Sequence, residues 1–242
     1  GKDKLKTLGA GGILSVASGS ENAPVMTVVS YVPKHSYVNH LVLLGKGITF
    51  DTGGTNLKHS RGMEGMHMDK TGAVVSTLAV VACALMGVPV RVTAVCPLAE
   101  NMLGSGATRP SDIVQMMNGK RVEITNTDAE GRVCLADALT YVQRHLSVAP
   151  THIISVATLT GSVEYALGSI RSGLMYTEKN LMKYAIRASR KTGERLWPLM
   201  IDKEVYENLK SPVADLDNSS DGPGAQVGGA FIFSFLENKI PM

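Results

Sequence analysis

The heptapeptide Asn126-Thr127-Asp128-Ala129-Glu130-Gly131-Arg132 sets two carboxylates and a guanidinium at alternate positions after an apolar run. Side chains two apart in an extended segment point the same way, so the spacing predicts Asp128, Glu130 and Arg132 on one face of a strand end. Two carboxylates side by side in a cleft cannot both stay ionised cheaply: one takes up a proton, or a cation sits between them. The rest of the chain favours the cation. Asp51 and Asp69 also follow strand or loop segments. Four acids with few basic neighbours suit two divalent cations, which would neutralise the cluster and make a nucleophilic hydroxide near neutral pH. The bland alternative for any one of these acids is a turn or cap residue beside glycine.

The glycine-rich stretch 45–58 adds Lys46 and Lys58, and its Gly53-Gly54 pair lets backbone fold close to a ligand. A lysine bound to a metal must lose its proton, which the cations' charge makes possible; otherwise both lysines are solvated loop charges. Met63, Met66 and Met68 crowd the approach to Asp69, as core filler or as the floor of an apolar pocket. Asn126 shares the parity of Asp128 and is a candidate to orient a ligand or substrate. His67 is read as pointing away from the cluster, and Asp137 as either a support for the site or a solvated helix acid. Other chemistries lack their motifs: there is no Walker phosphate loop, no His-Glu-x-x-His zinc helix and no Gly-x-Ser-x-Gly nucleophile elbow.

Strand-length apolar runs alternate with runs of helical period, which predicts an α/β fold with a mixed, largely parallel sheet flanked by helices on both faces. Strands are expected at 25–31, 40–44, 90–95, 121–125, 152–158 and 173–176. Helices are expected at 71–86, ending on Gly87, and at 132–145, 180–191, 203–209 and 226–237. Three long connections, 45–70, 97–120 and 211–229, are rich in Gly, Ser, Asp or Asn, and loops of that length are usually functional. The polar clusters follow strand ends, where ligands bind in open α/β sheets.

With 242 residues and 44% hydrophobic content, the chain reads as one soluble domain with a sizeable core. The apolar run 73–88 is short for a bilayer and is expected to be a buried helix, so no membrane association is expected. No signal-peptide pattern opens the chain. Three cysteines without framework spacing read as reduced core residues of an intracellular protein. A net charge of +3 with dispersed basic residues leaves no footprint for nucleic acid.

Four blocks in this order resemble the catalytic domain of the leucine aminopeptidase (cytosol aminopeptidase) family of dinuclear metallopeptidases. They are 45–51 with Gly53-Gly54 and Lys58, Met66 with Asp69, the heptapeptide, and Ala157-Thr158-Leu159-Thr160-Gly161. The resemblance runs from about Leu8 to the end and implies a zinc-exopeptidase-like three-layer sandwich. It implies Lys46, Asp51, Asp69, Asp128 and Glu130 as ligands of two divalent cations (Zn2+ or Mn2+, with Mg2+ or Co2+ as alternatives), Asp51 and Glu130 bridging. It implies Lys58 as the group that polarises the scissile carbonyl and Arg132 as the holder of a bicarbonate base. Leu159 would offer its carbonyl to substrate, and Met66, Thr158 and Gly161 would line the pocket for the first side chain, with Asn126 nearby.

The implied reaction is removal of amino-terminal residues, preferably leucine or other apolar ones, from peptides by a metal-bridging water or hydroxide. The implied setting is a cytoplasmic homo-hexamer. The alternative is an inactive or moonlighting relative serving as a binding or regulatory protein, DNA binding being one such role; a dinuclear phosphoesterase ranks below both, since lysine is a ligand and no histidine is. Two departures stand out. The chain has Lys70-Thr71-Gly72 after Asp69 where the family has a Gly-Gly pair, and Val133 where leucine is common. Family members also carry an amino-terminal domain and a further strand and helix at the carboxy end. The expectation for 1–242 is therefore an incomplete metallopeptidase catalytic domain, with an unpaired sheet edge.

Overall fold

The structure, a computed structural model, describes residues 1–242. In chain order the elements are α1 (Lys2–Thr7), α2 (Gly11–Val16), β1 (Val25–Tyr31), β2 (His40–Gly45), β3 (Gly47–Asp51), α3 (Thr71–Met86), β4 (Arg91–Asn101), β5 (Asp112–Gln115) and β6 (Arg121–Ile124). They continue with α4 (Glu130–Arg144), β7 (His152–Val156), α5 (Ser162–Leu167), β8 (Ser172–Leu174), α6 (Lys179–Thr192), β9 (Leu196–Pro198), α7 (Lys203–Glu207), β10 (Leu216–Asp217) and α8 (Gly224–Phe233).

The main sheet has the order β1-β4-β2-β7, with β3 also paired to β4. β2, β3, β4 and β7 run parallel and β1 antiparallel, the expected mixed and largely parallel arrangement. Helices cover both faces. α3 packs over β2 and β4 around Leu43, Ala73, Val80, Val92 and Ala94, while a larger core under α2, α4 and α8 buries Leu44, Ile48, Leu135, Leu139, Phe231 and Phe235. With 30 buried residues against 6, this larger core removes more apolar surface from water and contributes the greater hydrophobic share.

β2 and β3 are one strand broken at Lys46. The Lys46 N–H donates to the Val156 carbonyl at 3.0 Å, and its own carbonyl accepts from Ala73 N at 2.8 Å. A side chain on Gly45 would meet Ala73 Cα at 2.6 Å, so glycine is needed where α3 crosses the strand. Gly72 makes the equivalent approach, its added Cβ falling 2.1 Å from the Val156 carbonyl oxygen. The Lys70-Thr71-Gly72 departure therefore keeps the glycine required on the helix side of the crossing.

Several elements differ from expectation. The stretch 45–70 contains β3, and 97–120 contains the end of β4 and all of β5. Pro97 lies inside β4, where a proline ordinarily argues against a strand. It falls between the β2 pairing, which ends at Leu44↔Val95, and the β3 pairing, which starts at Gly47↔Leu98, so its missing N–H interrupts no ladder on that side. β5, β6 and β10 form a second small sheet and β8 and β9 a third. Helix α4 begins at Glu130, and twelve of its fifteen residues are buried, more than the single stripe read from its period.

α3 is sixteen residues long, about 24 Å against the roughly 30 Å of a bilayer core. Counted with the 3-10 turns before it, Ser60–Met86 has the length and apolarity to cross a membrane. The run is broken by Gly65 in the left-handed region and by the buried Asp69, and one side of α3 lies on the sheet. Cys96 and Cys134 are buried and Cys83 half-buried, all three as free thiols. On the outer side of β7, Ile153 N donates to the Pro241 carbonyl, and beyond it lies an apolar cavity of about 360 Å³ between β7 and β8.

Candidate metal centre and catalytic site

The polar blocks meet at the carboxyl ends of the parallel strands, as the strand-end rule for open sheets requires. Lys46 sits at the β2–β3 break, Asp51 ends β3, Lys58 follows in the next loop and Asp69 precedes α3. Asp128 lies in the turn after β6, Glu130 and Arg132 open α4, and Thr158 lies just past β7. The heptapeptide is not a strand end. β6 stops at Ile124, residues 125–129 form a turn, and Glu130 and Arg132 stand on the first turn of a helix. The alternation read from spacing is replaced by a turn that swings Asp128 toward the helix start.

Each lysine bridges two acids. Lys46 Nζ lies 2.7 Å from Asp69 Oδ2, 2.8 Å from Glu130 Oε1 and 2.9 Å from the Thr158 carbonyl oxygen. Lys58 Nζ lies 2.8 Å from Asp51 Oδ2 and 2.5 Å from Asp128 Oδ1. Oxygens of Asp51, Asp128 and Glu130 stand within 4.8 Å of one another. A side chain on Gly131 would fall 2.5 Å from Lys46 Cε, so the glycine of the heptapeptide is the space through which the lysine reaches the acids.

Burial disfavours the charged form of Lys46, but Glu130 and Asp69 outweigh it and its pKa is raised; Asp128 and Asp51 do the same for Lys58. Both are ammonium groups. Burial raises the Asp69 and Asp128 carboxyls and lifts Glu130 to about 7, with the lysines opposing. The set is four acids against two ammoniums. Glu130 Oε2 is buried with no hydrogen-bond partner, and Asp69 Oδ2 meets only Lys46, outside hydrogen-bonding geometry. An orphaned carboxylate oxygen beside an excess of negative charge, with three acids converging, is a donor set that fits divalent cations.

Asn101 and Thr127 complete the frame and were not among the expected residues. Asn101 Nδ2 donates to Asp51 Oδ1 at 2.8 Å and to the Thr127 carbonyl at 3.1 Å, and the Gly53 N–H donates to the same Asp51 oxygen at 3.0 Å. Thr127 Oγ1 accepts from Asn56 N at 2.8 Å and donates to the Gly53 carbonyl, tying the Gly53-Gly54 loop to the heptapeptide. A polar residue ending a long apolar strand, as Asn101 ends β4, is the signal that marks it in sequence.

Arg132 is buried, and burial lowers its pKa to about 10, with Glu130 and Asp217 opposing. Its Nη1 donates to the Asn218 carbonyl at 2.9 Å, while Nε is buried without a partner, which leaves donor capacity for an anion. Thr158 Oγ1 donates to Asp69 Oδ1 at 2.7 Å. Asn126 Oδ1 accepts from Asp128 N at 2.8 Å, so it shapes the turn. Met66 is half-buried on the 3-10 turn before Asp69, Leu159 lines the apolar cavity beside β7, and Gly161 caps α5. His67 is exposed. Asp137 is fully buried and accepts from Ile13 N and Met117 N, so the solvated reading is wrong and it touches no candidate ligand.

A profile of the cytosol aminopeptidase family, catalytic domain, matches residues 1–241. The probable cytosol aminopeptidase of Geobacter sulfurreducens is 48% identical over 224 residues, 93% of this chain and 44% of its own length. That of Chlorobaculum tepidum is 40% identical over 237 residues, 98% of this chain and 47% of its own. Leucyl aminopeptidase from Trypanosoma brucei in complex with bestatin superposes with a TM-score of 0.95 at 36% identity, over 98% of this chain and 46% of that one. The bottromycin maturation enzyme BotP in complex with Mn gives 0.93 at 36% identity, over 98% of this chain and 52% of that one. The chain spans about half the length of the curated relatives it matches. From the family match across nearly its whole length, set on a converged nest of acids and lysines, the chain belongs to the cytosol aminopeptidase family and represents its catalytic domain.

Proposed function

We propose that residues 1–242 form part of the catalytic domain of a metal-dependent aminopeptidase that removes amino-terminal residues, leucine and other apolar ones first, from peptides. The observation that carries this is the convergence of Asp51, Asp128 and Glu130 within 4.8 Å, with Asp69 joined to Glu130 through Lys46. Asp51, Asp69, Asp128, Glu130 and Lys46 would hold two divalent cations; Mn2+ is favoured by the BotP complex and Zn2+ by the family resemblance. When bound, such a pair supplies Lewis acidity and an activated water at neutral pH.

This chain's own groups do the rest. Lys58, a partly exposed ammonium at the edge of the nest, donates to the oxyanion that develops on the scissile carbonyl. Arg132, a buried guanidinium with one donor unpartnered, would hold a bicarbonate, which when bound would supply a general base for the attacking water. Lys46 is an ammonium while it neutralises Asp69 and Glu130, and it would have to release that proton to solvent to serve as a ligand. Asn126, Leu159, Met66, Thr158 and Gly161 receive the substrate. One methylene in an apolar pocket is worth about 1–3 kcal/mol, so selectivity is broad. The reading includes a cytoplasmic homo-hexamer. Five candidate ligands with Lys58 and Arg132 intact argue against the inactive alternative.

The test is hydrolysis of leucine p-nitroanilide with added Mn2+ or Zn2+. Lys58→Ala should lower kcat by about 10²–10³-fold, as loss of an oxyanion donor does. Asp128→Ala should lose activity and one equivalent of bound metal; rates equal to the parent in both variants reject the assignment.

A further inference from the structure

β10 is only two residues long, pairing Leu216 with Val122 and Asp217 with Glu123. The next residue, Asn218, continues the ladder in another form. Its main-chain N–H donates to the Glu123 carbonyl at 2.9 Å. There β6 ends, and the Asn218 side-chain amide takes the place of the missing strand. Oδ1 accepts from Thr125 N at 2.9 Å and Asn126 N at 3.2 Å, and Nδ2 donates to the Asn126 carbonyl at 2.7 Å and the Ala129 carbonyl at 3.4 Å. The residue is 1% exposed, and its main-chain carbonyl accepts from Arg132 Nη1 at 2.9 Å. Every polar atom of Asn218 is therefore spent on the heptapeptide or the strand that leads into it.

We infer that Asn218 is a positioning residue for the metal centre: from 92 residues away it sets the turn that aims Asp128 and Glu130, and the guanidinium of Arg132. The path is short. Asn218 clamps both main-chain polar groups of Asn126, Asn126 Oδ1 holds Asp128 N, and Ala129, whose carbonyl Asn218 also binds, is the residue from which α4 and Glu130 start. No other protein group accepts from the Thr125 and Asn126 N–H groups; without the amide they lose that partner and the turn is free to re-form. Supports of this kind typically carry 10–100-fold of metal affinity. This inference rests on the metallopeptidase reading above.

The experiment measures Mn2+ affinity by isothermal titration, thermal midpoint by circular dichroism, and amide exchange at 125–129 in chelator, for the parent, Asn218→Ala, Asn218→Asp and Ser211→Ala. Ser211→Ala is the structural control: Ser211 Oγ donates to Glu123 Oε2 and accepts from Val213 N and Ala214 N, bracing the same small sheet without touching the turn. Both Asn218 variants should weaken Mn2+ binding by about 10–100-fold, and Asn218→Ala should also speed exchange at Asn126 and Asp128, while Ser211→Ala lowers the midpoint and keeps affinity within about threefold. Asn218→Asp keeps the two acceptor bonds and carries the test if Asn218→Ala does not fold. Affinities in the Asn218 variants within about threefold of the parent overturn the inference. If the parent itself binds no Mn2+, the metallopeptidase reading fails, and the exchange data alone decide: unchanged protection at Asn126 and Asp128 in Asn218→Ala overturns the positioning role.

Discussion

Helix α4 carries two fully buried acids whose carboxyl pKa is raised to about 7, and their surroundings could hardly differ more. Asp137 is neutralised by fixed dipoles: Ile13 N at 3.0 Å at the start of α2, and Met117 N at 2.8 Å after β5. Those donors belong to the backbone and cannot leave, so Asp137 ties α2 and the end of β5 to α4. Glu130, seven residues earlier, meets one lysine ammonium through Oε1 and leaves Oε2 without a partner, among other acids. Its counter-charge is a side chain that can be displaced. The contrast teaches that burial and a raised pKa do not distinguish a brace from a ligand; what does is whether the compensating charge is built into the chain or exchangeable.

The largest effect that would break this contrast is on Glu130. Glu130→Gln should abolish binding of one Mn2+ by titration and reduce peptide hydrolysis to background, while the thermal midpoint in chelator does not fall, because the nest loses one of its uncompensated charges. A lower midpoint with metal binding intact would make Glu130 another brace. Next comes Asp137→Ala, which strands two buried N–H donors at about 1–3 kcal/mol each and should lower stability by that order in urea, with Mn2+ affinity of the folded protein unchanged.

The smallest effect, taken over a single pH unit, is the pH dependence. Each acid has a folded pKa near 7, above the ordinary 3.8 of Asp137 and 4.5 of Glu130, so between about pH 4 and 7 the folded state binds more protons than the unfolded one. The stability each contributes is complete below pH 4 and is lost as pH rises through 7, at up to about 1.4 kcal/mol per pH unit per group. Urea midpoints in chelator should show that decline. Saturating Mn2+ should remove the Glu130 share, because the carboxylate is then held ionised, and leave the Asp137 share, which Asp137→Asn alone removes.

Much of the site could be read from residue types. Acids beside glycine at strand ends, two lysines among them and a heptapeptide dense in charge need a cation wherever they converge, and each such block is local in sequence. The layers of helix and strand were visible for the same reason, since periodicity is a property of neighbours; α3 and β1 have their expected bounds. Short strands were not visible. β3, β5 and β10 carry two to five residues each, too few to show a period, and their existence depends on partners far along the chain. The heptapeptide misled in one respect: alternate spacing suits a strand, yet a turn and a helix start give the same side chains a common direction.

Composition and local order thus decided that the chain would fold as layered helices and a mostly parallel sheet, and which acids and lysines could bind metal, because those properties follow from side-chain chemistry and spacing along the backbone. Which acid shares which lysine, that Asn101 holds Asp51 and Asn218 the heptapeptide turn, and that Asp137 braces while Glu130 stays partly unpaired, were decided by contacts between segments tens of residues apart. Hydrogen bonds and charge pairs act over a few ångströms, and only the folded chain determines which groups come that close.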